Sequence, residues 1–259
     1  MSFFMDSCNI NFNGTWSYDI GVSNVRIDDK GMNENYFLPN RQIKEFTVNN
    51  NNMPYYSGVS YDIPDFNLTL FFQDGVDDDL SREVKRWLLV DNYSPLYFES
   101  KEDRIYFVIA NSFSDVSYTY INGKYYAYFT VTFRLDSPYA YSPIYDTKYM
   151  MFKGADSYFD FENHGDLHLK PKMWIYKIGD GDITINNRSD IGREFKITNL
   201  KDKETVMIDN FNEIIETDIE LLQRYDDFNN GWLNLTRGIN RILINGDCKI
   251  RFVYRFIYL

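Results

Sequence analysis

Asp180 and Asp182 stand two residues apart in the turn Gly179-Asp180-Gly181-Asp182. Glycosidic hydrolysis uses a pair of carboxyls of this kind, one as acid and one as base or nucleophile. The setting argues otherwise. Aspartate is common in Gly-rich turns because its side chain hydrogen-bonds the local backbone. Acid–base work also needs a carboxyl with a shifted pKa held in a cleft, and nothing in the surrounding sequence suggests one. His164 and His168, the two histidines of the chain, flank Asp166. A metal would want three or four converging ligands. The spacing would align the imidazoles on a helix, but Asn163 to Leu169 reads as loop or strand. Cys8 and Cys248 are too few for a disulfide framework or a cysteine zinc site and are expected reduced. No serine stands in a nucleophile elbow, and no glycine-rich loop leads into a helix with a lysine. The expectation is therefore a protein that is not an enzyme, with no catalytic residue, no cofactor and no metal.

One pair of residues could bind rather than react. In Met173-Trp174-Ile175-Tyr176, strand alternation puts Trp174 and Tyr176 on one face and Met173 and Ile175 on the other. Aromatic rings on a solvent face stack on sugars, whereas on the inner face they are core. Which face meets water is not fixed by the sequence, so Trp174 and Tyr176 stand as possible glycan-stacking residues.

Bulk properties narrow the class. Of the 259 residues 27 are basic and 38 acidic, a net charge of −11 that disfavours a grip on nucleic acid, because phosphate binding needs clustered Lys and Arg. Aromatics make up 18%, with 22 Tyr and 21 Phe, and they recur in short alternating runs that favour strands. Met1 to Asp6 have no basic stretch followed by an apolar one, so no secretory leader is expected. No apolar run reaches the roughly 18 residues of a membrane span. Reduced cysteines point to assembly in a reducing cytoplasm.

The elements that would position these residues are mostly strands. Candidates in the first half are Tyr18 to Ile27, Arg41 to Val48, Phe66 to Phe72, Arg104 to Asn111, Val116 to Ile121 and Tyr125 to Leu135. Polar stretches at Asp28-Asp29-Lys30-Gly31, Asn49 to Asn52 and Asp74-Gly75 separate them, and Asn122-Gly123 reads as a hairpin turn. In the last of these strands Ala127, Phe129, Val131, Phe133 and Leu135 form a buried face. One helix is clear, Asp79 to Leu89. Leu80, Val84, Trp87 and Leu88 share a face, Asp77 to Asp79 cap the start, and Lys85 and Arg86 sit near the end. Pro138 and Pro143 end the ladder, and the domain boundary is placed just after them, giving residues 1–145 and 146–259. The second half holds short, evenly spaced strands at Lys172 to Ile178, Asp182 to Ile185, Arg193 to Ile197, Glu204 to Ile208 and Ile239 to Ile244. After Asn245-Gly246, Cys248 to Tyr258 returns, with Cys248, Ile250, Phe252, Tyr254 and Phe256 on one face. Such spacing predicts a sandwich or jelly roll.

Several segments together resemble the siphophage distal tail protein (Dit) family. Asn11-Phe12-Asn13-Gly14 with Asp19-Ile20-Gly21-Val22 resembles its first strand and turn. Leu38-Pro39-Asn40-Arg41-Gln42-Ile43 with Tyr55-Tyr56-Ser57-Gly58-Val59 resembles its next block. The helix with Val84, Trp87 and Leu88, the strand Arg104 to Ala110 and the stretch Phe133 to Ser142 resemble its tail-tube-like domain. Leu235 to Ile242, with Ile250 to Arg255, resembles its galectin-like second domain. Order and spacing carry the resemblance. It implies a mainly β protein: a tail-tube-like β-barrel or sandwich with one helix, then a galectin-like, jelly-roll sandwich. It also implies a homo-hexameric ring, formed by the first domain, at the distal end of the virion's tail. That ring would join tail-tube and tail-terminal proteins to the tail-associated tip protein and to the receptor-binding protein used in host attachment. DNA would pass through without specific binding, a passage the negative balance suits, and no membrane partner is implied. Some relatives carry inserted carbohydrate-binding modules, for which this length leaves no room. The competing readings are a lectin-like module acting through the second domain and, last, a glycan hydrolase.

Overall fold

Alternation writes most of this fold. From Ala127 to Leu135 every second residue is buried and its neighbours face outward, and Phe66, Leu68, Leu70 and Phe72 repeat the pattern on the adjacent strand. A period of two with one apolar face makes a strand that covers a core. A computed structural model describes residues 7–25, 40–49, 52–72, 77–121, 124–190 and 193–259. The chain divides into two compact units, residues 1–140 with Leu259, and residues 141–258.

In the first unit the elements run β1 (Ile10–Phe12), β2 (Thr15–Trp16), α1 (Ser17–Ile20), β3 (Val22–Val25), β4 (Arg41–Phe46), β5 (Tyr55–Tyr61), β6 (Asp65–Phe72), α2 (Asp78–Leu88), β7 (Ser94–Phe98), β8 (Lys101–Phe113), β9 (Ser117–Ile121) and β10 (Lys124–Leu135). One curled antiparallel sheet has the order β2-β1-β7-β8-β10-β6-β3, with β9 paired to β10. Its inner face carries Phe12, Phe66 and Phe133, with the Phe12 and Phe133 rings 5.3 Å apart. Helix α2 adds Val84, Trp87 and Leu88 to that core. Its start is fixed as the acidic run predicts: the Asp77 carboxylate accepts from the Leu80 N–H at 2.8 Å. The Trp87 indole packs edge-on to Phe12 and donates to the Phe12 carbonyl at 3.0 Å, so a large buried ring keeps its polar atom satisfied. Leu80 is only half-buried.

The second unit begins at the two-residue strand β11 (Ala140–Tyr141), whose first residue belongs to the first unit, and continues with β12 (Tyr145–Asp146), β13 (Met150–Phe152), β14 (Ser157–Asn163), β15 (Lys172–Lys177), β16 (Gly181–Asn187), β17 (Glu194–Leu200), β18 (Thr205–Asp209), β19 (Ile214–Thr217), β20 (Gly238–Asn245), β21 (Cys248–Tyr254) and β22 (Ile257–Tyr258). Two antiparallel sheets, β12-β21-β15-β18-β19 and β14-β20-β16-β17, face each other. Between them lies one core, with Met173, Ile175, Val206 and Ile250 from one sheet and Ile183, Ile185, Phe195 and Ile242 from the other. Burying each such side chain contributes roughly 1.5–3 kcal/mol. The fold is mainly β, with the barrel-like first unit and the sandwich expected. Gly246 turns the β20–β21 hairpin at φ +108, and a Cβ there would meet the Asp182 carbonyl at 2.5 Å, so only glycine fits.

Three expectations need correction. The strand placed at Tyr18 to Ile27 is instead the single turn α1, closed by Gly21 at φ 82, followed by β3. Its end, Arg26-Ile27, lies outside the described residues, as do Asp28 to Gly31, Leu38-Pro39, Asn50-Asn51, Asp74-Gly75 and Asn122-Gly123. The first unit thus has a second, short helix beside α2. The strand Cys248 to Tyr258 leaves the ladder after Tyr254, because Phe256 exchanges hydrogen bonds with Ser142 instead, at 2.8 and 3.0 Å.

Candidate functional site

Trp174 and Tyr176 share the outer face of β15, and Met173 and Ile175 point into the core. Neither ring is bare. Across the β15–β21 ladder Trp174 lies opposite Arg251 and Tyr176 opposite Lys249. The Arg251 guanidinium sits 5.0 Å from the Trp174 ring centre and the Lys249 ammonium 5.3 Å from that of Tyr176. The Arg251 fork is held in turn by Asp146, whose Oδ1 accepts from Nε at 2.9 Å while Oδ2 accepts from Nη2. Those bonds, with one from the Lys148 N–H, hold the Asp146 carboxyl below its usual range. A pyranose stacking on Trp174 would have to displace this fixed cation, an exchange of one π-face partner for another worth about 0.5–1 kcal/mol at an exposed site.

Asp180 and Asp182 serve the backbone. Asp180 Oδ1 accepts from the Asp202 N–H at 2.8 Å, and Asp202 Oδ1 accepts from the Gly179 N–H at 2.6 Å, a reciprocal clasp of two neighbouring turns. Asp182 Oδ1 accepts from the Asn199 N–H at 3.1 Å. The histidines have separate partners: His164 Nδ1 lies 3.6 Å from Glu162, and His168 Nδ1 lies 3.1 Å from the Asn234 amide. No cluster of three or more His, Cys, Asp or Glu suited to a metal occurs among the described residues. Cys8 is exposed, and Cys248 is buried with its thiol pushed up to about 12 by desolvation.

The surfaces that stand out are ones the sequence reading passed over. Among the described residues strands β4 and β5 pair only with each other, and all six residues of β4 are exposed. Ile43 is 67% exposed, Phe46 57% and Tyr56 69%, with Phe46 and Tyr55 stacked at 5.4 Å. A signal was present: Arg41-Gln42-Ile43-Lys44-Glu45-Phe46 puts Ile43 on one face and Phe46 on the other, so neither face is apolar enough to be a core face. On β9, Tyr118 and Tyr120 are exposed as well.

The second unit holds a buried ionic network. Arg224 Nε and Nη2 donate to the two oxygens of Glu204 at 2.8 and 2.6 Å, and Nη1 donates to Asp227 at 2.8 Å. The Thr217 hydroxyl and the Lys201 N–H donate to Glu204 as well. Burial works to raise the Glu204 carboxyl, but these bonds outweigh it and hold the group below its usual range. No reacting atom is presented there, since every charge is turned inward on a partner. The network fixes the chain between β19 and β20.

Comparison with known proteins follows the same two-unit division. The family model for a phage tail protein N-terminal domain matches residues 5–137, and that for a phage tail C-terminal domain matches residues 139–254. The chain is 33% identical over 248 residues, 96% of each chain, to the SPbeta prophage-derived uncharacterized protein YomH of Bacillus subtilis strain 168. Its structure is similar to that of phage SPP1 Dit, described as a paradigm of the hub adsorption apparatus in phages infecting Gram-positive bacteria. The TM-score is 0.61 at 14% identity, over 96% of this chain and 98% of that one. At that identity the likeness shows a shared fold.

Proposed function

This chain belongs to the phage tail protein family, and from that premise we propose that it is a non-enzymatic hub at the distal end of the tail, assembled as a ring of six. The ring joins the tail tube to the tip protein and to the receptor-binding protein, serves host attachment, and lets DNA pass without holding it. The protomers are made in the host cytoplasm. The first domain, to about residue 145, builds the ring and the second projects from it.

One observation carries this reading, the β4–β5 hairpin. A two-stranded hairpin is marginal in water. This one also exposes Ile43 on one face and the stacked Phe46 and Tyr55 on the other, with Val48, Met53 and Tyr56 exposed besides, large apolar side chains that burial against a partner would shield. A neighbouring protomer would cover it. Such a head-to-tail contact uses two different surfaces and closes only when the rotation per step fits the ring. The excess of acids suits a channel for DNA, which like charge keeps from sticking. Among the described residues no helix is long and apolar enough to cross a membrane.

Phe46→Asp with Tyr55→Asp tests the reading. Both side chains are exposed but stack on each other across the hairpin, so the variant should lose about 0.5–1.5 kcal/mol, confined to β4–β5, and keep the core of the main sheet folded. Rings seen by electron microscopy after co-expression with the neighbouring tail proteins should disappear. Rings that form undiminished contradict the proposal.

A further inference from the structure

The second unit carries an apolar display that the ring does not use. Leu221 is 106% exposed, and its backbone has φ 61, in the left-handed region that costs a non-glycine residue energy. A single exposed leucine is ordinary. A fully exposed leucine on a strained backbone is not, because both features oppose folding and neither is relieved inside the protomer. The loop is also no floppy excursion. Before it, the Ile219 N–H donates to the Thr217 hydroxyl and Asp218 Oδ1 accepts from the Thr205 N–H at 3.0 Å. After it, Arg224 is locked to Glu204 and Asp227, and the Tyr225 hydroxyl accepts from the Ile215 N–H at 3.2 Å. The leucine is held out between two pins.

A second tip is held in the same way. Phe211, 71% exposed, sits on the turn between β18 and β19, where Asp209 Oδ1 accepts from the Phe211 and Asn212 N–H groups, both at 3.1 Å. Strand β19, about 13 Å long at 3.3 Å per residue, separates the two tips and presents Ile214 and Glu216 outward. The charge is one-sided. Glu216, Asp218, Glu220 and Asp226 have no ion-pair partner among the described residues, Glu213 reaches Lys170 only at 4.0 Å, and the one base of the segment, Arg224, is buried and neutralised.

We propose that residues 211–226 dock a different protein, one presenting an apolar pocket for Leu221 rimmed by Lys and Arg. Aromatic and aliphatic anchors set in pockets dominate interface energies, and rim charges set the choice of partner. A second copy of this chain fits poorly, since the chain is itself acidic. Four unpaired carboxylates also repel nucleic acid and anionic lipid. This inference rests on the hub reading only in that the partner is sought among tail proteins.

The test places the photocross-linker p-benzoylphenylalanine at Leu221 in a phage or prophage that encodes the chain. Cells are irradiated before particles are purified. The expected result is a cross-link to one other protein, at a peptide containing Lys or Arg, lost when Glu216→Lys and Glu220→Lys are added. Leu221→Gly should leave the melting temperature of the purified protein undiminished, because it removes the backbone strain, and yet abolish retention of that partner. No cross-link, a cross-link only to a second copy, a contact peptide without bases, or full retention by Leu221→Gly would each overturn the proposal. Absence of the chain from purified tails would count instead against the hub reading, so the two fail separately.

Discussion

Glu204→Gln is the sharpest perturbation of the second unit. Glu204 and Arg224 are 0% and 4% exposed in their side chains, and the guanidinium meets both carboxylate oxygens. Removing one partner of a buried pair typically costs about 3–5 kcal/mol, because the other charge stays buried and uncompensated. Here Asp227 still faces Arg224 Nη1, which places the loss near the lower figure, about 3 kcal/mol. Amide hydrogen exchange at Val206 and Ile208, in the core strand β18, reads that loss directly as protection. A loss of about 3 kcal/mol is roughly a hundredfold drop. Replacing both partners, Glu204→Met with Arg224→Met, should recover most of it, since no charge is left stranded. The pH dependence has a definite sign. The Glu204 carboxyl is held below its unfolded value, so its contribution is present above the ordinary carboxylate range and disappears as pH falls through the lowered value. Wild type should therefore lose more stability between neutral pH and acid than Glu204→Gln. A drop in protection under about tenfold, or equal acid sensitivity in the two proteins, would refute the assignment of the network as the clamp on residues 211–226.

Trp87→Ala should cost the first unit about 3–5 kcal/mol in urea unfolding, as a buried ring removed from the core. Trp87→Phe should cost about 1–3 kcal/mol, leaving the Phe12 carbonyl without its donor; a loss below about 1 kcal/mol for the alanine variant contradicts the helix orientation. Arg251→Ala should uncover the Trp174 ring and raise its quenching by the neutral quencher acrylamide with little change in stability. Calorimetry of the wild-type protein with host cell-wall polysaccharide should show no micromolar binding at this face, and binding abolished by Trp174→Ala would restore the lectin reading. A fragment of residues 146–259 should give a soluble, β-rich circular dichroism spectrum, with one starting at Tyr141 more stable because it keeps the Ser142–Phe256 bonds; a random-coil spectrum for both contradicts the proposed boundary.

What the sequence made legible was whatever depends on period and local chemistry. Helix α2 announced itself through Val84, Trp87 and Leu88 and through the acids ahead of it, and β10 through its alternation. The turn α1 left no such trace, since four residues give no helical period. It is specified by Ser17, whose buried hydroxyl accepts from the Ile10 N–H at 3.2 Å, and by Gly21. Strand β7 was hidden by Pro95, which argues against a strand inside a sheet, yet β7 lies between β1 and β8. Trp174 and Tyr176 were placed on one face correctly, but the cations above them come from β21, more than seventy residues on. The Glu204–Arg224 clamp and the strained Leu221 it supports depend on tertiary contacts that no local pattern encodes.

The central claim is the ring. Electron microscopy of purified tails, with an antibody against residues 146–259, tests it most directly. The account predicts label at the distal end of the tail only, and averaged density there with six copies around the tube axis. Tails that carry no label, or density at that end with a different symmetry and no place for this fold, would contradict it.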